Sequence, residues 1–251
     1  MNQTVLVVVA HPDDELLGCG ATLARRAARG DAVHIAILGE GVTSRYAREA
    51  DADRGEVAGL EEDARAVAAM LGAKSIVFGG LPDNRFDTVA LLDIVKRVEG
   101  WVRDVDPEVV YSHHAGDLNV DHRVTFQAVL TATRPVEGCG VKALYAFEVA
   151  SSTEWAFQQI TPPFKPNVFE DVAGTIDLKV RALERYRGEH RPFPHPRSGE
   201  ALRAAARRWG AVAGVAYAEA FELIRAIRGP DESGVVSEMA SNRGRTRHPW
   251  R

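Results

Sequence analysis

An α/β fold, with a mostly parallel sheet covered by helices on both faces, is the architecture this sequence predicts. Three observations carry that expectation. Short apolar runs of strand length alternate with segments whose apolar residues recur at helical spacing. Polar and charged residues gather at the ends of the apolar runs rather than before them, as expected where strands deliver side chains to one sheet edge. Finally, 251 residues with 45% hydrophobic and 26% charged side chains suffice for one substantial core.

The elements follow in order. Val5–Ala10 is an uninterrupted apolar run, as a strand buried on both faces should be. Leu16–Arg29 follows as a helix, then Ala32–Leu38 as a second strand and Glu56–Leu71 as a second helix. Ser75–Phe78 and Val109–Ser112 are predicted as the third and fourth strands, with a helix over Thr88–Val105 between them. A helix over His122–Thr133 leads to a fifth strand at Ala143–Val149. Right-handed crossovers then give a Rossmann-like, doubly wound sheet of order about 3-2-1-4-5, whose first and fourth strands meet at the switch point. After Val149 the alternation stops; a short strand at Val168–Val172 and helices over Ile176–Arg187 and Glu200–Ile227 are expected. The expected organisation is a single domain over residues 1–228, with a core at 4–150 and a C-terminal addition at 151–228. The Ser/Gly/Arg-rich stretch 229–251 reads as a flexible tail.

A net charge of −4 gives no reason to expect nucleic acid or an anionic membrane as partner. No apolar run approaches the roughly 20 residues of a membrane span, and Met1–Thr4 lacks a positive leader, so a cytoplasmic location is expected. The two cysteines, Cys19 and Cys139, form neither a disulfide framework nor a zinc-ribbon spacing and are read as packing or loop residues. Association into a homo-oligomer is left open.

The chemistry concentrates at His11-Pro12-Asp13-Asp14-Glu15, on the turn between the first strand and its helix. His11 and Asp14, three apart on a tight turn, can face one point while Asp13 aims elsewhere. Nitrogen and carboxylate donors with an open position suit catalytic Zn²⁺; Fe²⁺, Mn²⁺, Co²⁺ or Mg²⁺ are alternatives. Helix capping accounts for one aspartate here but not for His11 or the further carboxylates. If the first and fourth strands are neighbours, a third ligand should follow the fourth. Ser112–His122 carries three of the eight histidines, and His122, in the first turn of a helix, is assigned as that ligand. Asp121 or Asp117 would orient a histidine or cap the helix. Of His113 and His114, alternation sends one toward the crevice and the other into packing.

Loops after the second and third strands reach the same edge, making Arg45, Asp83 and Arg85 candidate substrate contacts, with His114 and Glu15 beside them. Glu15 also serves as a cap or support for its neighbours. A proline-rich loop, Glu189–Ser198, is a stiff means of bringing a side chain over a site. Together these residues predict hydrolysis by activated water, with Asp13 as proton acceptor and donor to a leaving amine.

Ala10–Glu15, together with Asn119-Val120-Asp121-His122, resembles the PIG-L/LmbE family of zinc-dependent de-N-acetylases, with similarity over about residues 4–150. Tyr186–Phe221, containing His195-Pro196-Arg197-Ser198, is similar to one bacterial branch. The resemblance implies removal of an acetyl group from an N-acetylglucosamine unit. It places the metal on His11, Asp14 and His122 and the general base at Asp13. Relatives in thiol-precursor pathways often carry a histidine where this chain has Asn119, and an amide cannot supply a proton. Either Asp13 performs both transfers, or His195, with His114 as second candidate, takes the missing role.

Two other readings compete. A nucleotide enzyme is disfavoured because Gly18-Cys19-Gly20 is followed by Leu23 where a third glycine is needed. A non-catalytic metal- or sugar-binding protein would need the ligands but not Asp13.

Overall fold

The computed structural model describes residues 2–159 and 161–228, so the predicted tail at 229–251 lies outside the described residues. Seven strands form one sheet in the order β3-β2-β1-β4-β5-β7-β6. These are β1 (Thr4–Val9), β2 (Ala32–Gly39), β3 (Ser75–Leu81), β4 (Val109–His113), β5 (Ala143–Phe147), β6 (Val168–Asp171) and β7 (Ala218–Ala226). The first five are parallel in the predicted order, and β7 and β6 extend the sheet antiparallel beyond β5.

Alternation along the all-apolar β1 divides the core in two. Val5, Val7 and Val9 face a layer built with α1 (Asp14–Ala28), α2 (Arg54–Leu71), α5 (Ile176–Leu183) and α6 (Gly199–Ala213). Leu6, Val8 and Ala10 face the opposite layer, with α3 (Leu91–Val105) and α4 (Val120–Ala132). β1 is thereby buried on both sides, as its unbroken apolar run demands.

One predicted element is corrected. The expected helix over Glu200–Ile227 ends at Ala213, where Gly214 takes a left-handed C-cap at φ 76°. The chain then turns into β7, pairing Phe221 with Phe147 and Tyr145 with Leu223. The residues Ala-Glu-Ala-Phe-Glu-Leu-Ile favour a helix locally, but the open edge of β5 supplies ladder partners that local propensity does not weigh. The third helix also starts later than predicted, at Leu91, because a separate 3-10 turn occupies Phe86–Thr88. Among the described residues no helix is long and apolar enough to cross a membrane.

α1 carries a break. Cys19 has non-helical angles (φ −144°, ψ 15°). The Glu219 carboxylate accepts from the backbone N–H of Ala21 (3.1 Å) and Thr22 (2.7 Å), capping the second segment. Lys179 donates to Leu17 O, at the end of the first segment (2.7 Å), and to Glu219 (2.6 Å). A buried Lys–Glu pair thus replaces the backbone bonds that the break removes.

Candidate active site

β1 and β4 are adjacent, so the turns after them open into one crevice. The turn after β1 is held by its own side chains. Asp14 Oδ2 accepts from His11 N (2.9 Å), and Glu15 Oε2 accepts from Asp13 N (3.1 Å). Asp13 sits at φ 104°, in the left-handed region that costs a non-glycine residue of order 1–3 kcal/mol and recurs at functional sites. Beneath it Tyr186 donates its hydroxyl to Glu15 (2.5 Å). Burial pushes the Glu15 carboxyl up to about 7, against the lowering effect of that bond.

His11, Asp14 and His122 converge, with one donor atom from each lying within 4.8 Å of the others, and all three are buried. Asp14 Oδ2 is 3.3 Å from His122 Nε2 and 3.6 Å from His11 Nδ1. Its other oxygen, Oδ1, is buried without a hydrogen-bond partner. The far nitrogen of each imidazole lies beside a carboxylate: His11 Nε2 hydrogen-bonds to Asp121 at 2.9 Å, and His122 Nδ1 lies 3.1 Å from Asp117. A buried carboxylate with one orphaned oxygen, whose other oxygen lies beside two imidazoles, fits a divalent cation. The same His11 also forms a cluster with Asp83 and Asp121.

The electrostatics follow from burial and crowding. Burial opposes ionisation of Asp14, but His122 and His113 hold its carboxyl well below the ordinary range. His122 is lowered by burial and raised more by Asp14 and Asp117, to about 9. Asp13 is raised well above its ordinary value, chiefly by burial, with Arg197 pulling it down and Asp14 pushing it up. His113 is pushed down to about 3 by burial and by His122. It accepts from Ala10 N (2.9 Å) and stacks on His122 at 4.0 Å, so it supports the His122 ring from the core side.

A cavity of about 190 Å³ opens over this cluster, and His11, Asp13, His122, Asp83, Arg45 and Asn119 are on its wall. Asp83 accepts from Ser44 N (3.0 Å) and Ser44 Oγ (2.6 Å). Asn119 caps α4, its Oδ1 accepting from Asp121 N (2.8 Å) while its amide donates to Asn84 (3.0 Å). Asp121 accepts from Asn84 N and Phe86 N as well as meeting His11, so it serves His11 and not the adjacent His122.

Other predicted residues stand elsewhere. His114 is held by Glu222 (2.7 Å) and the Pro162 carbonyl (2.8 Å), away from the cavity wall. Arg85 flanks the 3-10 turn outside that wall, and Glu15 lies fully buried under it. His195 is likewise off the wall; its ring packs edge-on against Trp155, and its Nδ1 accepts from Arg197 N (3.1 Å). The side chain that this loop delivers is Arg197. It donates to Asp13 (2.9 Å), Glu189 (2.7 Å) and Ser151 (2.8 Å), and Glu189 also binds Arg45. Sequence reasoning missed Arg197, Glu189 and Ser151; for the first two the signal was the same proline-rich loop, read for its histidines rather than its arginines.

Residues 6–133 match the family model described as PIG-L, GlcNAc-PI de-N-acetylase. The chain belongs to the PIG-L family. The match ends at the foot of α4, so it includes the turn after β1 and the α4 histidine but not the Arg197 loop. Outside the family model, the chain is 28% identical over 189 residues to an uncharacterised deacetylase, YaiS, of Escherichia coli K12, covering 73% of this chain and 90% of that one. It is 29% identical over 195 residues to 4-oxalmesaconate hydratase of Pseudomonas putida, covering 74% of each. The crystal structure of the conserved protein TT1542 from Thermus thermophilus superposes with a TM-score of 0.69 at 25% identity, covering 92% of this chain and 99% of that one. The PIG-L sheet thus extends over the C-terminal addition as well.

Proposed function

We propose that this PIG-L protein is a metal-dependent amidohydrolase that removes the acetyl group from an N-acetylglucosamine-type amino sugar, with His11, Asp14 and His122 holding the ion. The observation that carries this reading is Asp13. It is buried at 2% exposure on the cavity wall, adjacent in sequence to Asp14 yet turned away from the His/Asp cluster by its left-handed backbone. A divalent cation at the cluster supplies a Lewis acid that activates water near neutral pH.

Asp13 takes the proton of the attacking water. Its raised carboxyl is a stronger base than an exposed aspartate, which suits proton transfer near neutrality. Arg197 keeps it paired and aimed. With Asn119 engaged as a cap and His195 off the wall, Asp13 also returns the proton to the leaving amine. Asp83 and Arg45, which line the same cavity as Asp13, would bind sugar hydroxyls.

The hydratase relative raises a second reading, addition of water to a small unsaturated acid. The cavity disfavours it: among its described lining residues the guanidinium groups are Arg45 and Arg197, and both are already paired with Glu189 or Asp13. A multiply charged acid would have to break those pairs, whereas a neutral sugar would not.

The test is acetate release from a panel of N-acetylglucosaminides, with and without a chelator. Release that stops on metal removal is expected. Asp13→Asn should keep its metal and lose turnover by about 10²–10⁴-fold. No release from any panel member by metal-loaded protein would overturn the proposal, and an Asp13→Asn variant with normal turnover would remove Asp13 from the mechanism.

A further inference from the structure

A second cavity, of about 230 Å³, lies on the same sheet edge beyond β5. Its body is apolar, formed by Leu17 from α1, Trp209 and a series of alanines from α6, and Pro196. Lys179 is on its wall, 5% exposed. An ammonium has three N–H donors, and among the described residues two of those on Lys179 are used, on Leu17 O and Glu219. The remaining donor is a buried hydrogen-bonding group beside an apolar space. Cavities of order 150 Å³ lined by apolar side chains accept a ligand of benzene size.

The charges around it select the ligand further. Glu148, Glu154 and Glu219 share the wall with Lys179 and Arg208. Glu219 is paired with Lys179 (2.6 Å), Glu148 accepts from the Trp209 indole N–H (2.6 Å) and Glu154 accepts from the backbone N–H groups of Ser151 and Ser152, so a charged ligand of either sign would have to compete with partners already in place. We propose that this cavity is a binding site for a compact, uncharged ligand with an apolar body and one hydrogen-bond acceptor, a hydroxyl or carbonyl oxygen that takes the free N–H of Lys179. Such a group has two sources: a free small molecule, or an apolar substituent carried by the amino sugar. The second is within reach because the two cavities adjoin across a partition one residue thick in sequence. Ala150 and Pro196 face this one, while Ser151 and Arg197, the next residues, face the other.

Benzyl alcohol titrated into the metal-loaded full chain, followed by NMR at the Trp209 indole N–H, tests the site. Saturable binding is expected. Benzoate and benzylamine should bind at least several-fold more weakly. Ala205→Phe, at an exposed position on the cavity wall, should weaken benzyl alcohol at least ten-fold while leaving acetate release from N-acetylglucosamine unchanged. A shift that never saturates, one that Ala205→Phe leaves intact, or equal binding of the charged analogues would overturn the proposal. Benzyl N-acetylglucosaminide then separates the sources. If it displaces benzyl alcohol and its KM rises selectively in Ala205→Phe, the ligand is part of the substrate; if benzyl alcohol binds but the glycoside does not displace it, the ligand is a free molecule. The binding arm does not depend on the reaction, so failure of deacetylation alone would count against the proposed function and leave this site standing.

Discussion

At the scale of single residues, the site is organised by aspartates that touch histidines from behind. Asp121 and Asp117 each fix one imidazole so that its other nitrogen faces Asp14. Loss of such a partner typically weakens metal binding by about 10–100-fold. Asp117→Asn is therefore expected to retain the fold and weaken the metal by that factor in a chelator-competition titration; unchanged affinity would show that His122 is oriented by packing on His113 alone. The His11, Asp14 and His122 cluster was legible because His11 and Asp14 share a turn and strand order alone puts β4 beside β1. Which aspartate serves which histidine was not, since Asp121 neighbours His122 in sequence but reaches His11 in space. His114 gives a contrasting case. Burial lowers its pKa, but hydrogen bonds to Glu222 and Pro162 overrule this and leave it raised above 6.5, while His114 helps hold Glu222 below 4.5. The His114 contribution is complete below pH 6.5 and fades as pH rises through its folded value; the Glu222 contribution is complete above 4.5 and fades as pH falls through its own. The stability difference between wild type and Glu222→Gln should thus peak between about pH 4.5 and 6.5, at about 1 kcal/mol for a pair with Glu222 partly exposed at the surface, and shrink toward pH 9 in urea unfolding. A pH-independent difference would assign the effect to packing.

At the scale of elements, α1 must both present Asp13 and Asp14 and break five residues later. The break lets Gly18 pass against Phe147: a Cβ there would lie 2.2 Å from that ring. Gly18→Ala is expected to destabilise by about 1–3 kcal/mol through overpacking. Glu219 and Lys179 sustain the break, and removing one member of a buried pair leaves the other uncompensated, at a cost of about 3–5 kcal/mol. Glu219→Ala should show that loss in urea unfolding, and Lys179→Met/Glu219→Ala should lose less than the two single changes added together. Strict additivity would mean that the pair is not coupled. The Gly18-Cys19-Gly20 signal was visible as a weak nucleotide motif, and its physical meaning emerged only with β7, the element misread as helix. The same mistake hid both: once Ala218–Ala226 is a strand beside β5, Glu219 arrives at the break, and neither fact can be inferred from the periodicity of either segment alone.

At the scale of the whole molecule, the parallel doubly wound sheet followed from alternation and crossover handedness, and the order 3-2-1-4-5, taken as the condition for a shared crevice, is the one that brings residues 11–14 and 117–122 to one edge. What it did not disclose was the closing of that edge by the C-terminal addition. The loop carrying Glu189 and Arg197 packs back onto the turn after β1, so that Asp13 contacts a side chain 184 residues away. The result is that N-terminal and C-terminal segments meet at a crowded set of carboxylates, Asp13, Asp14 and Glu15, all almost fully buried. A cation at His11, Asp14 and His122 would relieve that crowding in the folded state and has no equivalent site in the unfolded chain, so metal binding and folding are linked. At one hundred times its dissociation constant a ligand of the native state adds about 2.7 kcal/mol, which for a domain of this size is a rise of about 5–10 °C in Tm. Chelator-treated protein is expected to melt that much lower than protein reloaded with Zn²⁺, with the difference abolished in Asp14→Asn and retained in Asp13→Asn. Equal shifts in both variants would place the ion elsewhere, at the alternative cluster of His11, Asp83 and Asp121.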